Sequence, residues 1–245
     1  MKVLDKVFKN SCTLGKNTCS NPRKDVVLID NFFEDFNEAQ KFFLSRDRWR
    51  CIPNYQGDDR FGYESLFPNW MGKYLMQKYV AKNKILDDVD SYTVTCCYFY
   101  NNNYGTALGN DFPHIDAAYE ENVKNYVCLV NLNEKIVSTK FYTYKNQEHC
   151  TEEGSDEWSA FSRSIRQEFI NHYGADSDPK NVVDKFLGDT KESDLRLLNM
   201  VEYKPNQAIL FPMSVYHAPN VTQEWFKEIP RAMLRITFYK KYETT

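Results

Sequence analysis

The sequence predicts one mainly β domain, a sandwich or barrel buttressed by helices. Three observations predict it. Helical three-to-four spacing of apolar residues marks two segments in the first ninety or so residues. From residue 91 onward short alternating strands take over. A polar, helix-patterned stretch at 145–200 then interrupts those strands before they resume. Strands grouped around one insertion, with helices ahead of them, favour a single core of layered sheet over two separate domains. The expected division is 26–90 as helical support, 91–144 and 200–241 as the β core, and 145–199 as the insertion.

Each element has a local reason. Residues 9–25 are polar and turn-rich and read as a loop or surface arm. Val26–Asp30 (VVLID) is a short apolar strand. It feeds a helix from about Asp35 to Arg46, where Phe36, Ala39, Phe42 and Phe43 recur on one side. Pro, Gly and Asp clusters make 51–68 irregular, and Asn69–Asn83 reads as a second helix. SYTVTCCYFY, starting at Ser91, is β-branched and aromatic, as a strand should be. Tyr126–Leu132 and Thr139–Tyr144 are further strands. In the insertion, Trp158, Phe161, Ile165 and Phe169 mark a helix, with more helix expected near 180–198. Strands resume at Gln207–Phe211 and Val215–His217, and the last runs Arg231–Lys240.

Composition narrows the function classes. A 245-residue chain can bury a large core, and 16% aromatic content supplies bulky residues to fill it. The net charge of −3 gives no whole-molecule footprint for nucleic acid, which leaves such a partner disfavoured but open. No apolar run approaches the roughly eighteen residues of a membrane span, and MKVLDKVFKN lacks the apolar core of a signal peptide. The seven cysteines include no CxxC pair, and Cys12 with Cys19 is the pair worth testing for a disulfide. A reducing, cytoplasmic setting is the expectation.

The chemistry centres on His114-Ile115-Asp116. Side chains two apart on a strand share a face, so an imidazole and a carboxylate aim at one point. A third ligand is then sought among the remaining histidines. His149 lies in an acidic loop and His172 near the end of the insertion helix, and both read as solvated. His217 ends an apolar strand and reads as the partner. Two His and one carboxylate suit a non-heme Fe(II) centre, and Zn(II) is the other metal such a set could hold. On the last strand Arg231, Met233, Arg235, Thr237 and Tyr239 share one face, opposite Ala232, Leu234, Ile236 and Phe238. Arginines on an inward face demand an anion, because a buried guanidinium is costly unpaired.

On His114-x-Asp116, the strand pair after it, Phe211…His217, and Arg231 in RAMLRITF fourteen residues beyond His217, the chain resembles the Fe(II)/2-oxoglutarate-dependent oxygenase superfamily. Within it, the layout is similar to the prolyl-4-hydroxylase-like and phage-encoded branches. The resemblance spans roughly 26–50 and 91–240. It implies a double-stranded β-helix (jelly-roll, cupin-like) core with flanking helices. It implies Fe(II) on His114, Asp116 and His217, with 2-oxoglutarate and O₂ as cosubstrates. Arg231 is the implied anchor for the distal carboxylate of 2-oxoglutarate, with Arg235 the fallback. Tyr98 and Tyr100 are the implied aromatic help, and Thr139 matches the family's strand Thr. Two positions depart from the pattern: Val137-Ser138 stand where glycines are common, and Met233 where Ser is frequent. The implied reaction is hydroxylation or oxidative demethylation of a C–H bond, yielding succinate and CO₂, on a small molecule or peptide. Asp116 occupies the position that related halogenases vacate. Two alternatives stay open: a cupin-type Fe(II) dioxygenase without cosubstrate, and a non-catalytic metal-containing binding module.

Overall fold

The computed structural model describes residues 2–15, 19–45, 50–53, 60–83, 89, 91–99, 113–118, 123–173, 194–220 and 231–241. Its helices are α1 (Lys2–Ser11), α2 (Phe36–Leu44), α3 (Asn69–Asn83) and α4 (Ser155–Tyr173). Its strands are β1 (Cys19–Arg23), β2 (Val26–Ile29), β3 (Arg50–Pro53), β4 (Arg60–Phe67), β5 (Ser91–Phe99), β6 (Val123–Asn131), β7 (Val137–Tyr144), β8 (Leu195–Tyr203), β9 (Ala208–Pro212), β10 (His217–Asn220) and β11 (Arg231–Lys241). An eight-stranded sheet runs β1-β2-β9-β6-β11-β5-β4-β3, and a three-stranded sheet runs β10-β7-β8.

All pairings are antiparallel. From β5 the chain passes to His114, which bridges to His217 on the small sheet. It returns to the large sheet as β6, crosses back as β7 and β8, and alternates again through β9, β10 and β11. That alternation between facing sheets is a jelly-roll, so the core is a double-stranded β-helix with flanking helices.

Strand parity sorts the core into layers. Leu234, Ile236 and Phe238 of β11 and Val94 and Cys96 of β5 face outward from the large sheet, where Phe8, Phe43, Met71 and Leu75 of the helices cover them. The apolar face expected for the last strand thus packs on helices. The opposite parity, with Val127, Leu129, Phe211 and Met233, meets Val137, Phe141, Val201 and Tyr203 of the small sheet. On that sheet's outer side Tyr144 and Tyr216 pack against Trp158 of α4. Asp35 caps α2 by accepting from Glu38 N at 3.0 Å, worth about 1 kcal/mol. Gly72 lets α3 lie against β5, because a Cβ there would stand 2.6 Å from Tyr92 Cβ.

Several boundaries differ from the sequence reading. Residues 50–53 and 60–67 are strands that extend the large sheet, where irregular chain was expected. Cross-strand pairing with β5, invisible to local composition, decides this. Part of the polar arm at 9–25 is β1, pairing with β2, and the arm's first residues finish α1. Of the helix expected near 180–198, residues 180–193 lie outside the described residues, and from Leu195 the segment is β8, because it pairs with β7. Cys12 is buried, Cys19 is exposed, and both are free. Among the described residues no helix is long and apolar enough to cross a membrane.

Candidate metal centre

His114, Asp116 and His217 come together at one end of the space between the sheets. One ligand atom from each lies within 4.8 Å of the others. The backbone makes the convergence. His114 N donates to His217 O at 2.8 Å and His217 N to His114 O at 2.9 Å, an antiparallel pair that sets the rings 4.4 Å apart. Asp116 N donates to Met213 O at 2.9 Å, so the turn before His217 holds the carboxylate in place. His114 is a single bridge and Asp116 sits in a bend. Strand parity therefore does not aim these two side chains; the pairing with the 213–217 segment does.

The electrostatics suit a cation. His217 is buried, and its Nδ1 lies 2.9 Å from Val215 O, which assigns the proton to Nδ1 and leaves Nε2 as a lone pair 3.7 Å from Asp116 Oδ2. Burial lowers the His217 imidazole below its ordinary value, against the pull of Asp116, so the ring is neutral at pH 7. Burial by itself would raise the Asp116 carboxyl. In the acid range where the carboxyl itself titrates, the protonated His217, Arg235 and the protonated His114 outweigh burial, helped by the hydrogen bond from Arg235, and hold the group below the usual carboxylate range. Arg235 is also bonded to the carboxylate directly. Its Nη2 donates to Asp116 Oδ1 at 2.5 Å, so Oδ2 is left to face the histidines. Phe211 packs edge-on to His217 at 4.8 Å and restricts the ring.

Behind this centre three interior side chains carry a buried polar atom with no hydrogen-bond partner among the described residues. Arg231 is 6% exposed, and its Nε has no hydrogen-bond partner among the described residues. Thr139 is 1% exposed and Tyr203 fully buried, and neither Thr139 Oγ1 nor the Tyr203 hydroxyl has a partner among the described residues. All three share parity with interior residues: Arg231 with Met233, Thr139 with Val137 and Phe141, and Tyr203 with Val201. A buried guanidinium and two buried hydroxyls without partners are costly unless a polar ligand completes them. Their donor set fits a carboxylate. Asn133 fixes the start of β11: its Oδ1 accepts from Ala232 N at 2.7 Å and its Nδ2 donates to Ala232 O at 2.8 Å.

The structure thus separates the two arginines by role. Arg235 pairs with Asp116, and Arg231 lies four residues, roughly 13 Å of strand, further in. Tyr98 sits opposite Ala232 in register and shares strand parity with Val94 and Cys96, the helix-facing set. Its side chain, and Tyr100 altogether, lie outside the described residues, as does the side chain of His172. His149, expected to be solvated, is half-buried, with Nδ1 3.0 Å from Ser214 Oγ and Nε2 3.4 Å from Asp25 Oδ2. Asp25, Glu148 and His149 form a second cluster with metal-ligand geometry. There Arg23 Nη2 lies 3.0 Å from Asp25 Oδ2 and 2.6 Å from Glu148 Oε2, so a cation already fills it. Tyr203 escaped the sequence reading because its strand begins inside the stretch patterned as helix; the two-residue spacing of Val201 and Tyr203 was the available signal.

No protein-family model matches this chain, and no curated protein matches it in sequence. Among solved structures, it is similar to the non-heme alpha ketoglutarate dependent carbocyclase SnoK from nogalamycin biosynthesis, with 9% identity over 92% of this chain and 87% of that one and a TM-score of 0.46. It is also similar to the alpha ketoglutarate dependent epimerase SnoN from nogalamycin biosynthesis, with 10% identity, 98% and 81% coverage, and a TM-score of 0.42. A third is iron-bound HygX from Streptomyces hygroscopicus, with 9% identity, 100% and 88% coverage, and a TM-score of 0.41. Likenesses this loose carry no functional inference; the residues of the site do. Fold and site define a jelly-roll protein with a His–Asp–His centre at the mouth of its interior.

Proposed function

We propose that this chain is an Fe(II)- and 2-oxoglutarate-dependent oxygenase that oxidises a C–H bond of a small-molecule substrate, hydroxylating or oxidatively demethylating it. The observation that carries this reading is a two-His-one-carboxylate set in the same interior as a buried arginine whose Nε has no partner among the described residues. His114, Asp116 and His217 would hold the iron. Arg231, helped by the hydroxyls of Thr139 and Tyr203, would hold the distal carboxylate of 2-oxoglutarate. When bound, iron and 2-oxoglutarate supply the oxidising chemistry, releasing succinate and CO₂.

The chain's own residues do the positioning. Arg235 keeps Asp116 ionised and turned, the Val215 carbonyl presents Nε2 of His217, and Phe141, Phe211 and Met233 exclude water from the space between. A cupin-type enzyme without cosubstrate, or a binding module, would leave the burial of Arg231 uncompensated. Anaerobic addition of Fe(II) and 2-oxoglutarate should produce a weak charge-transfer band near about 500 nm. Admitting air should then release succinate. Absence of both would overturn the reading.

A further inference from the structure

Beside Asp116 the interior opens into a hollow of about 150 Å³. Ala117 and Met213 form its inner edge, and Met213 O is the acceptor that holds Asp116 N and Ala117 N. Thr93, Asn125 and Thr237 line it from three neighbouring strands on the parity of Arg235, and Tyr239, 38% exposed, borders it.

Three properties say what it would take. Its lining includes no charged residue among the described ones, and the nearby Arg235 is already paired with Asp116. The side chains of Thr93, Asn125 and Thr237 make no hydrogen bond to any described residue, so two hydroxyls and an amide remain to be used. The volume is about that of a cavity known to seat one six-membered ring. A charged group would meet no opposite charge in that lining, and an apolar ring would make no use of its hydroxyls and amide.

Resting on the oxygenase reading for its consequence, we propose that this hollow is the substrate subsite for a neutral, hydroxyl-rich six-membered ring, a sugar residue or a cyclic polyol. Thr93, Asn125 and Thr237 hydrogen-bond its hydroxyls, and Tyr239 lies along its C–H face. Ala117 of this lining directly follows the candidate iron ligand Asp116, so a ring seated here lies next to the centre.

The test is ligand-observed saturation-transfer NMR on the metal-free full chain. Probes are methyl glucoside and myo-inositol, set against cyclohexanol, glutamate, lysine and adenosine monophosphate. Binding of at least one of the two neutral hydroxylated rings is expected. Asn125→Ala combined with Thr237→Val should weaken it about tenfold or more, and Tyr239→Ala, at an exposed position that tolerates truncation, should weaken it too. Binding only by the charged or apolar probes, by no probe, or with equal affinity in both variants overturns the assignment. The anaerobic absorption band is measured in parallel. Ring binding without the band leaves the hollow standing and sinks the oxygenase reading, whereas the band without ring binding sinks the hollow alone.

Discussion

Replacing Arg231 with Met should stabilise the metal-free protein while crippling its hold on 2-oxoglutarate. The side chain is nearly sealed from water, and its Nε finds no acceptor among the described residues. Exchanging a poorly compensated buried charge for an apolar chain of similar length is neutral or stabilising, by about 1–4 kcal/mol where such swaps succeed. The cosubstrate would complete that guanidinium, and a hydrogen bond to a charged group contributes about 1.5–3 kcal/mol. At about 1.4 kcal/mol per tenfold, loss of the anchor raises the 2-oxoglutarate midpoint roughly 10- to 150-fold. Urea denaturation of the metal-free variant gives the first quantity. Titration of the anaerobic band with 2-oxoglutarate gives the second. A midpoint within about threefold of the unsubstituted protein would refute the anchor role, and so would a large rise confined to Arg235→Met.

Arg235→Met should instead weaken Fe(II) binding about 10- to 100-fold, as loss of an orienting partner of a ligand does; metal titration by calorimetry checks this. Asn133→Ala removes both bonds that pin Ala232 and should cost about 2–4 kcal/mol in urea melts while also raising the 2-oxoglutarate midpoint. Gly72→Ala should lower stability by about 1–3 kcal/mol, despite alanine's better helix propensity, because the methyl meets Tyr92; a lowered Tm is the readout. Because His217 is depressed by burial, the unfolded chain takes up a proton near its ordinary value of 6.5 while the fold does not. Stability of the metal-free protein should therefore fall as pH drops below about 6.5, by up to about 1.4 kcal/mol per unit, until the folded group protonates. His217→Gln should flatten that slope between pH 7.5 and 5.5. Asp116, held low by the charges around it, protonates below this window and leaves the sign unchanged.

Local chemistry made much of this molecule legible. Phe36, Ala39 and Phe43 announce α2 by helical spacing, and Asn69–Asn83 is α3 to the residue. The alternation of RAMLRITFYK assigns the two faces of β11, because a strand's side chains must alternate whatever it pairs with. His114-x-Asp116 and the scarcity of histidine nominate a ligand set. What needs pairing in space was hidden. β3, β4 and β8 are strands because partners exist for them, and their local composition did not announce that pairing. The difference in role between Arg231 and Arg235 is likewise tertiary. Both have the same parity on the same strand, and only the approach of Asp116, carried in by the Met213 carbonyl, assigns the outer one to the carboxylate and leaves the inner one buried with its Nε unpartnered among the described residues. Sequence determined which side chains share a face; distance along that face, and what stands opposite, required the fold.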